Sequence, residues 1–343
     1  MTALEARPDA LGQQQPVRAP GVAEVLSRAA AAALADTPPS QIVCPTGFRP
    51  LDDYLGGGLR GGELTLLGGP QGLGKTLLGL QIASNVVAAG GGAVIVSYEH
   101  DVEQLLERLL CMEAASRGDS SLASSAPTLD DVRRALAAEG QRSLTDRLGP
   151  SGETAARALH SYGDRLRLFR ASGGRTGIPQ LRELAEQDSD TPPLLVVDYL
   201  QKVSARHIAG GEDERVTYVV ESLKDLALDT GCAVLAVVAA DKAGLAGDRV
   251  RLHHLRGSTA LAYEADVALL LNDKFDIIAR HHLMYGTSGT ERFHDWVVCS
   301  IEKNRNGVAG VDLEFEKDFA HARFHPHGRV VAEILADPRL GHE

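Results

Sequence analysis

Short apolar runs recur along the chain, and segments with the helical spacing of apolar residues separate them. Five runs have the length of buried strands, at residues 63–69, 93–99, 192–200, 232–240 and 265–273. The run LRLFRA at 166–171 predicts a further strand. Apolar strands that alternate with helices are typical of a parallel sheet that is covered on both faces. The pattern therefore predicts an α/β fold with a twisted, mostly parallel sheet flanked by helices.

The segments between the strands predict helices. Helical spacing begins at Lys75, covers residues 101–110, and covers residues 176–187 with Thr176 as the candidate cap. A long helix over residues 214–231 is closed by Gly231, since glycine readily adopts the left-handed conformation that ends helices. Residues 116–155 are rich in Ser, Ala and charged residues and predict helices and loops beside the sheet. Residues 295–318 predict a C-terminal β-hairpin with Asn-Gly at its turn.

The same pattern predicts one large domain with a tail at each end. Residues 1–20 are polar and hold three prolines, so they predict a flexible segment. Residues 21–36 predict a helix, which either docks on a neighbouring subunit or is solvated. The domain is expected to cover residues 41–330, between an N-terminal tail at 1–40 and a C-terminal tail at 331–343.

Composition narrows the class of protein. The 343 residues have a formal net charge of −11, which argues against a strongly basic nucleic-acid binder, although a ring can be acidic outside and basic in its pore. The four cysteines lie far apart, so neither a metal site nor a disulfide framework is expected. The N-terminus does not resemble a signal peptide, and no apolar run approaches the ~20 residues of a membrane span. We expect a cytoplasmic protein.

A phosphate-binding loop is the most specific motif. Residues 69–76, GPQGLGKT, form the pattern G-x-x-x-x-G-K-[ST] between a predicted strand and a predicted helix. Gly69, Gly72 and Gly74 let successive backbone N–H groups face one anion, and the following helix adds its positive end. In this pattern Lys75 reaches the β- and γ-phosphates of ATP, and the Thr76 hydroxyl binds Mg²⁺. The alternative interpretation is a glycine-rich turn with an exposed lysine, which would not require a strand before the loop and a helix after it.

Two acids follow predicted strands at the same edge of the sheet. Asp198 ends the strand LLVVD, where P-loop NTPases place an acid that holds Mg²⁺. Glu99 ends AVIVSYE, where a carboxylate is placed to orient or deprotonate the water that attacks the γ-phosphate. Asp101 and Glu103 are alternatives for this base, but acids at those positions also suit the first turn of a solvated helix.

These motifs lie in segments that resemble the C-terminal, RecA-like motor of the DnaB-type replicative helicases. The segment TGFRPLDDYLGGGLRGGELTLLGGPQGLGKT at 46–76 is similar to the opening of that motor, and SYEHDVEQLLERLL to its second motif. Further segments follow in the family's order: DYLQ at 198–201, LRGSTALAYEADVALLL from Leu255, IEKNRNG at 301–307 and ARF at 322–324. The resemblance spans residues 42–325 and implies a RecA-like P-loop NTPase fold.

The resemblance also implies a function. A protein of this family is a hexameric ring that binds ATP between its subunits and single-stranded DNA in its pore. Glu99 would be the catalytic base, and Gln201 would contact the nucleotide. Lys303 and Arg305 would reach the ATP of the neighbouring subunit, where a cation stabilises the transferring phosphoryl group. The alternative for these two residues is a pair of exposed hairpin cations.

DNA contacts are implied for one loop of the chain. The residues are Arg256 and, beside it, Arg251 and His254, which make a local basic segment in an acidic protein. The alternative is an ordinary solvated loop.

Two departures from the family concern DNA unwinding and its coupling to ATP hydrolysis. The family's N-terminal helical domain has no counterpart in the sequence, and Ala239 stands where the family has a polar sensor residue, typically Gln.

Three functions fit these observations. The first is a DNA-stimulated ATPase or helicase of the DnaB type, and the second is a regulatory ATPase nearer the RadA or KaiC groups that does not unwind DNA. The third is a ring scaffold that binds ATP without hydrolysing it. The presence of Lys75, Glu99 and Asp198 argues against the third function. Salt-dependent affinity for single strands separates the first from the second.

Overall fold

The computed structural model describes residues 19–34, 41–117, 126–138, 143–187, 191–247, 249–278, 290–332 and 335. The chain divides into two units, Met1–Ser40 and Gln41–Glu343. In the first unit, helix α1 (Val22–Leu34) lies within the predicted range 21–36. Residues 1–18 and most of the predicted tail at 331–343 lie outside the described residues.

The second unit contains a two-stranded sheet and a ten-stranded sheet with its helices. In chain order its elements are β1 (Val43–Cys44), α2 (Leu51–Tyr54), β2 (Leu59–Arg60), β3 (Leu64–Gly69), α3 (Lys75–Ala88), β4 (Ala93–Ser97), α4 (Val102–Arg117), α5 (Leu129–Ala137), α6 (Leu144–Tyr162), β5 (Leu166–Arg170), α7 (Ile178–Glu186), β6 (Leu194–Asp198), α8 (Glu212–Thr230), β7 (Ala233–Ala239), α9 (Lys242–Ala246), α10 (Ala260–Glu264), β8 (Val267–Asp273), α11 (Lys274–Ile277), β9 (Trp296–Asn304), β10 (Val311–Asp318), β11 (Arg323–Phe324) and β12 (Arg329–Val330). Among the residues that the structure describes, no helix is both long and apolar enough to cross a membrane.

The large sheet is parallel in its centre and antiparallel at one side. Its strand order is β11-β10-β9-β8-β3-β7-β6-β4-β5, with β12 beside β10. The strands from β8 to β5 pair in parallel, whereas β9 and β10 form an antiparallel hairpin with Ile301 opposite Val311. The dipeptide Asn306-Gly307 lies in the connection of this hairpin. The structure confirms the predicted sheet and the C-terminal hairpin.

Successive residues of the central strands face opposite sides of the sheet. Leu67 and Ile95 pack into a core with helices α3, α4 and α6. Their neighbours Leu66 and Val94 pack into a second core with helices α7 and α8. All residues of β3, β4 and β6 are buried, as the continuous apolar runs predict. This packing places the carboxyl ends of the parallel strands at one edge of the sheet, where ligands bind in open α/β folds.

Two local predictions differ from the structure. Strand β4 ends at Ser97, so Glu99 lies in the turn that follows it. The predicted cap Thr176 was wrong, because α7 begins at Ile178 with Gly177 as its cap. The Thr176 hydroxyl instead accepts a hydrogen bond from the backbone N–H of Ser172 at 3.1 Å. The side chain of Thr176 is therefore used in a local turn and not as the cap of the helix.

The cysteines Cys44, Cys111, Cys232 and Cys299 are free and buried. Burial raises the pKa of Cys44, Cys111 and Cys299 to about 12. It also raises the pKa of Cys232. The four thiols are therefore protonated near neutral pH.

Candidate active site

The loop between β3 and α3 has the tight backbone that phosphate binding requires. Gly69, Gly72 and Gly74 have φ values of 142°, 80° and 78°. A Cβ atom at Gly69 would lie 2.4 Å from the carbonyl oxygen of Leu271, and one at Gly74 would lie 2.8 Å from the ring of Phe324. Both positions therefore need glycine for backbone conformation and for space.

Lys75 begins α3 and turns back over this loop. Its Nζ donates hydrogen bonds to the carbonyl oxygens of Gly69 at 2.8 Å and Pro70 at 2.6 Å. Burial lowers the pKa of Lys75, and the nearby carboxylates of Asp198 and Glu99 act in the opposite direction. The structure thus brings together the lysine and both predicted acids.

Asp198 is the last residue of β6 and is only 2% exposed. Burial raises its pKa to about 6, and a hydrogen bond with the side chain of Thr76 opposes this increase. Within the described residues, its Oδ2 has no hydrogen-bond partner. A buried carboxylate oxygen without a partner is rare, and carboxylate and hydroxyl oxygens are ligands that suit Mg²⁺. Asp198 and Thr76 therefore fit the predicted metal.

Glu99 lies in the turn between β4 and α4, and its backbone N–H donates to the hydroxyl of Ser97 at 3.3 Å. Its side chain is exposed and lines the cavity above the loop. The alternative bases are placed differently. Asp101 forms an exposed ion pair with Arg170, and neither Asp101 nor Glu103 is among the described residues that line the cavity.

The loop and the two predicted acids border one cavity of about 540 Å³, which we call the P-loop cavity. Its polar wall is formed by Lys75, Thr76, Glu99 and Asp198. The lining also includes residues for which no role was predicted from the sequence, among them His100, Arg108, Leu129, Phe319 and Ala322. The cavity therefore has charged groups near the loop and apolar side chains from α5 and the segment after β10, as a nucleotide with phosphates and a base would require.

Arg108 is the most informative of the residues that sequence reasoning missed. It lies on α4, half-buried, and donates from its guanidinium to the carbonyl oxygen of Gln104 at 2.8 Å. Burial lowers the pKa of Arg108, whereas the charge of Asp198 partly opposes this decrease. No spacing rule links an arginine in the middle of a helix to a phosphate loop, so only the packing of α4 reveals it.

The predicted trans-acting cations lie on the hairpin, away from the described lining of the P-loop cavity of their own chain. Lys303 donates to the carbonyl oxygens of Ala262 at 2.7 Å and Tyr263 at 3.1 Å. Arg305 also donates to the carbonyl oxygen of Tyr263, at 2.5 Å, and pairs with Asp266 at 3.1 Å. The two cations therefore share one anchor at the end of α10.

The predicted DNA contacts separate into one exposed and two anchored residues. Arg256 is exposed and forms an ion pair with Glu212 at 2.8 Å. Arg251 pairs with Glu302 of β9 at 2.7 Å, and the ring of His254 accepts from the backbone N–H of Arg251 at 3.1 Å. The anchored residues shape the loop, and Arg256 is the residue of this set with most access to solvent.

Arg256 lines a second cavity of about 410 Å³, which we call the Arg256 cavity. Gln201, for which the resemblance implied a nucleotide contact, also lines this cavity and is not among the described residues that line the P-loop cavity. Its amide group donates to the carbonyl oxygen of Arg256 at 2.9 Å. Gln201 therefore lies beside the loop that carries Arg256.

Parts of the chain are similar to known proteins. The family described as "AAA domain" matches residues 31–244, and the family described as "DnaB-like helicase C terminal domain" matches residues 175–325. The replicative DNA helicase DnaB of Rhodothermus marinus is 29% identical over 237 residues, which are 66% of this chain and 22% of that protein. The DNA repair protein RadA of Mycobacterium tuberculosis is 44% identical over 62 residues, which are 18% of this chain and 13% of that protein.

A solved DnaB-like replicative helicase, described with its interactions with primase, has a TM-score of 0.67 at 16% identity. The match covers 89% of this chain and 68% of that one. Such a likeness shows the fold, which is RecA-like. The chain belongs to the AAA domain family, and over residues 175–325 it is similar to the DnaB-like helicase C terminal domain.

Proposed function

We propose that the chain is an ATP-driven motor that acts on single-stranded DNA in the cytoplasm as a ring of identical subunits. The observation that supports its ATP site most directly is the buried Oδ2 of Asp198, which has no hydrogen-bond partner among the described residues and lies at the same cavity as Lys75 and Glu99. In this proposal residues 41–330 form the motor, and residues 1–40 and 331–343 are its tails.

Thr76 and Asp198 would hold Mg²⁺, whose charge offsets the negative charge of the phosphates. Lys75 would exchange its carbonyl partners for phosphate oxygens, which are stronger acceptors for an ammonium group. Glu99 would accept a proton from the attacking water, since its carboxylate is exposed to the cavity. Arg108 adds a fixed positive charge to the same wall.

The active site would be completed by a neighbouring subunit. Lys303 and Arg305 are held together on the hairpin by the carbonyl oxygen of Tyr263, and Arg305 is about half exposed, at 47%. Phosphoryl transfer concentrates negative charge on the γ-phosphate, which a cation from outside the chain can stabilise. A hexamer is the assembly that the DnaB type implies.

DNA would bind through its phosphates at Arg256. The ion pair with Glu212 is exposed on both sides, at 54% and 43%, so it stabilises the chain little and can be exchanged for a phosphate contact. Such contacts fix the position of the strand without reading its sequence. We therefore expect affinity for single strands that falls steeply with salt.

A second candidate is a regulatory ATPase that does not unwind DNA. The local match to RadA supports it, as do the ion pair of Arg251 with Glu302 and the hydrogen bond that the ring of His254 accepts from the backbone N–H of Arg251, because both contacts occupy residues predicted to bind DNA. Both candidates need ATP hydrolysis, and they differ in the response to single-stranded DNA.

The decisive measurement is the ATPase rate with and without an oligothymidine, together with the mass of the oligomer. Glu99→Gln should retain nucleotide binding and lose turnover by about 10²–10⁴-fold, because only proton transfer is removed. Glu103→Gln, at an exposed acid in the first turn of α4, is the matched control and should keep the wild-type rate. Equal rates for the two variants would refute the assignment of Glu99, and a DNA-independent rate would favour the regulatory ATPase.

A further inference from the structure

The side chain of Gln201 closes a ring of three hydrogen bonds between two parts of the chain. Its Nε2 donates to the carbonyl oxygen of Arg256 at 2.9 Å, and its Oε1 accepts from the backbone N–H of Ala239 at 3.3 Å. The backbone N–H of Arg256 in turn donates to the carbonyl oxygen of Ala239 at 2.9 Å. One amide therefore ties the end of β7 to the loop that carries Arg256.

The two ends of this ring belong to different cavities. Ala239 lines the P-loop cavity, as does Tyr199, which lies two residues before Gln201. Gln201 and Arg256 line the Arg256 cavity, where the other charged side chains are Lys202, Arg206, Arg215 and Glu212. The Arg256 cavity is therefore predominantly cationic, although the whole chain has a net charge of −11. Gln201 therefore lines a cavity whose positive charge suits phosphodiesters, and it is hydrogen-bonded to Ala239 of the P-loop cavity.

The position of this amide is relevant because Ala239 has a methyl side chain. A methyl group cannot donate or accept a hydrogen bond, so the side chain of Ala239 cannot report the state of a bound phosphate to the loop. The amide of Gln201 offers both a donor and an acceptor. Its donor bonds the loop at Arg256, and its acceptor bonds the end of β7 at Ala239. A shift of the loop on binding an anion would strain the ring of hydrogen bonds and thus move the end of β7.

We propose that Gln201 is the positioning residue that couples the Arg256 cavity to the P-loop cavity. The inference rests on the proposed function, since it takes the anion in the Arg256 cavity to be the backbone of single-stranded DNA. Coupling between two sites is reciprocal for binding, so ATP must change the affinity for DNA by the same factor by which DNA changes the affinity for ATP. This factor separates coupling from a structural role.

The test measures that factor directly. The affinity for a fluorescent oligothymidine is measured by anisotropy with and without Mg²⁺ and ATPγS, for the wild type and for Gln201→Met, which has similar length and lacks both hydrogen-bonding groups. Gln187→Met, at an exposed glutamine after α7, is the matched control. Gln201→Glu retains the acceptor for Ala239 but places a carboxylate against the carbonyl oxygen of Arg256, so it tests the donor separately.

We expect ATPγS to change the DNA affinity of the wild type and of Gln187→Met by a factor within the usual range of about 5–150. In Gln201→Met and Gln201→Glu the factor should fall to within about twofold of 1, while the melting temperature stays near wild type. An undiminished factor in both variants overturns the inference and leaves the proposed function standing. Complete loss of DNA affinity without nucleotide in Gln201→Met, whose side chain is uncharged, also overturns it, because Gln201 would then build the binding surface. A wild type that does not bind DNA overturns the proposed function itself.

Discussion

At the scale of single residues, the carboxyl group of Asp198 gives the site a dependence on pH. Its folded pKa of about 6 lies above its ordinary value of 3.8, because burial disfavours the charged form. Without nucleotide, the stability contributed by the neutral acid is present below its ordinary pKa and is lost as pH rises through about 6. Metal binding has the opposite dependence, since the metal needs the charged carboxylate.

We therefore expect the affinity for Mg²⁺ and ATPγS to weaken as pH falls below about 6, approaching about tenfold for each pH unit. Isothermal titration calorimetry between about pH 5 and about pH 8, a range that spans the titration of the carboxyl group, checks this expectation. The nucleotide also titrates near this range, so Asp198→Asn supplies the background dependence. Parallel pH profiles for the wild type and this variant would show that Asp198 is not the titrating group.

Phe319 gives the P-loop cavity an aromatic wall. Its ring packs edge-on against Phe324 with centroids 5.5 Å apart, and 39% of the residue stays exposed. An exposed face of this kind can stack on a nucleotide base, a contact worth about 0.5–1.5 kcal/mol. Phe319→Ala should therefore raise the KM for ATP by about 2–10-fold with kcat unchanged, since the contact binds ground state and transition state alike. Steady-state kinetics that show a wild-type KM for Phe319→Ala, or an increase equally present in Phe319→Tyr, would contradict stacking.

The sequence was informative for residues whose role is tied to a local pattern. Lys75 and Thr76 follow from the glycine spacing, and Asp198 follows from the end of an apolar strand. Arg108 and Phe319 reach the cavity from the middle of a helix and from a late segment, so only tertiary packing places them there. Arg251 lies in a basic stretch, but its partner Glu302 is 51 residues away, which no local pattern reveals.

At the scale of elements, Asp266 joins four parts of the fold. Its carboxylate accepts from the backbone N–H of Leu64 at the start of β3 at 2.8 Å and from Lys224 of α8 at 2.7 Å. It also pairs with Arg305 of the hairpin connection, and its own position is just before β8. The pair with Lys224 is nearly buried, with side-chain exposures of 13% and 6%.

Asp266→Asn should destabilise the fold by about 3–5 kcal/mol, because it leaves the charge of Lys224 buried without its counter-ion. Denaturant unfolding measures this difference. Asp101→Asn is the matched control, since its pair with Arg170 is exposed on both sides and should cost less than about 1 kcal/mol. Similar losses in the two variants would mean that the network around Asp266 does not behave as a buried ion pair.

The elements themselves were more predictable than their ends. Continuous apolar runs identified every central strand, because a strand buried on both faces needs no polar positions. The cap of α7 was mispredicted, because the hydroxyl of Thr176 has a second suitable donor in its own loop. Competition between two local hydrogen bonds is decided by the surrounding chain, which sequence spacing does not describe.

At the scale of the whole molecule, an active site shared between subunits predicts complementation. Arg305→Ala and Lys75→Ala should each lower the ATPase rate by at least about tenfold, and a mixed oligomer should recover part of the activity. In such an oligomer, some interfaces combine an intact Lys75 from one subunit with an intact Arg305 from the next. ATPase assays on oligomers whose mixing is verified by native mass spectrometry measure the recovery.

A mixture of Lys75→Ala and Glu99→Gln is the matched control. Both residues line the P-loop cavity of one chain, so no interface in that mixture regains both. Recovery there as well, or no recovery with Arg305→Ala, would argue against a trans role for Arg305.

The burial of all four cysteines makes the chain well suited to chemical labelling. With raised pKa values and no exposed thiol among them, the native protein should react slowly with a maleimide and take up four equivalents only after unfolding. Native and denatured mass spectra check this expectation. A fluorophore attached through Val308→Cys, at a position that is 58% exposed in the hairpin connection, would then be the single reporter on each subunit. Assembly is thereby observable by energy transfer between subunits, without removing any natural cysteine.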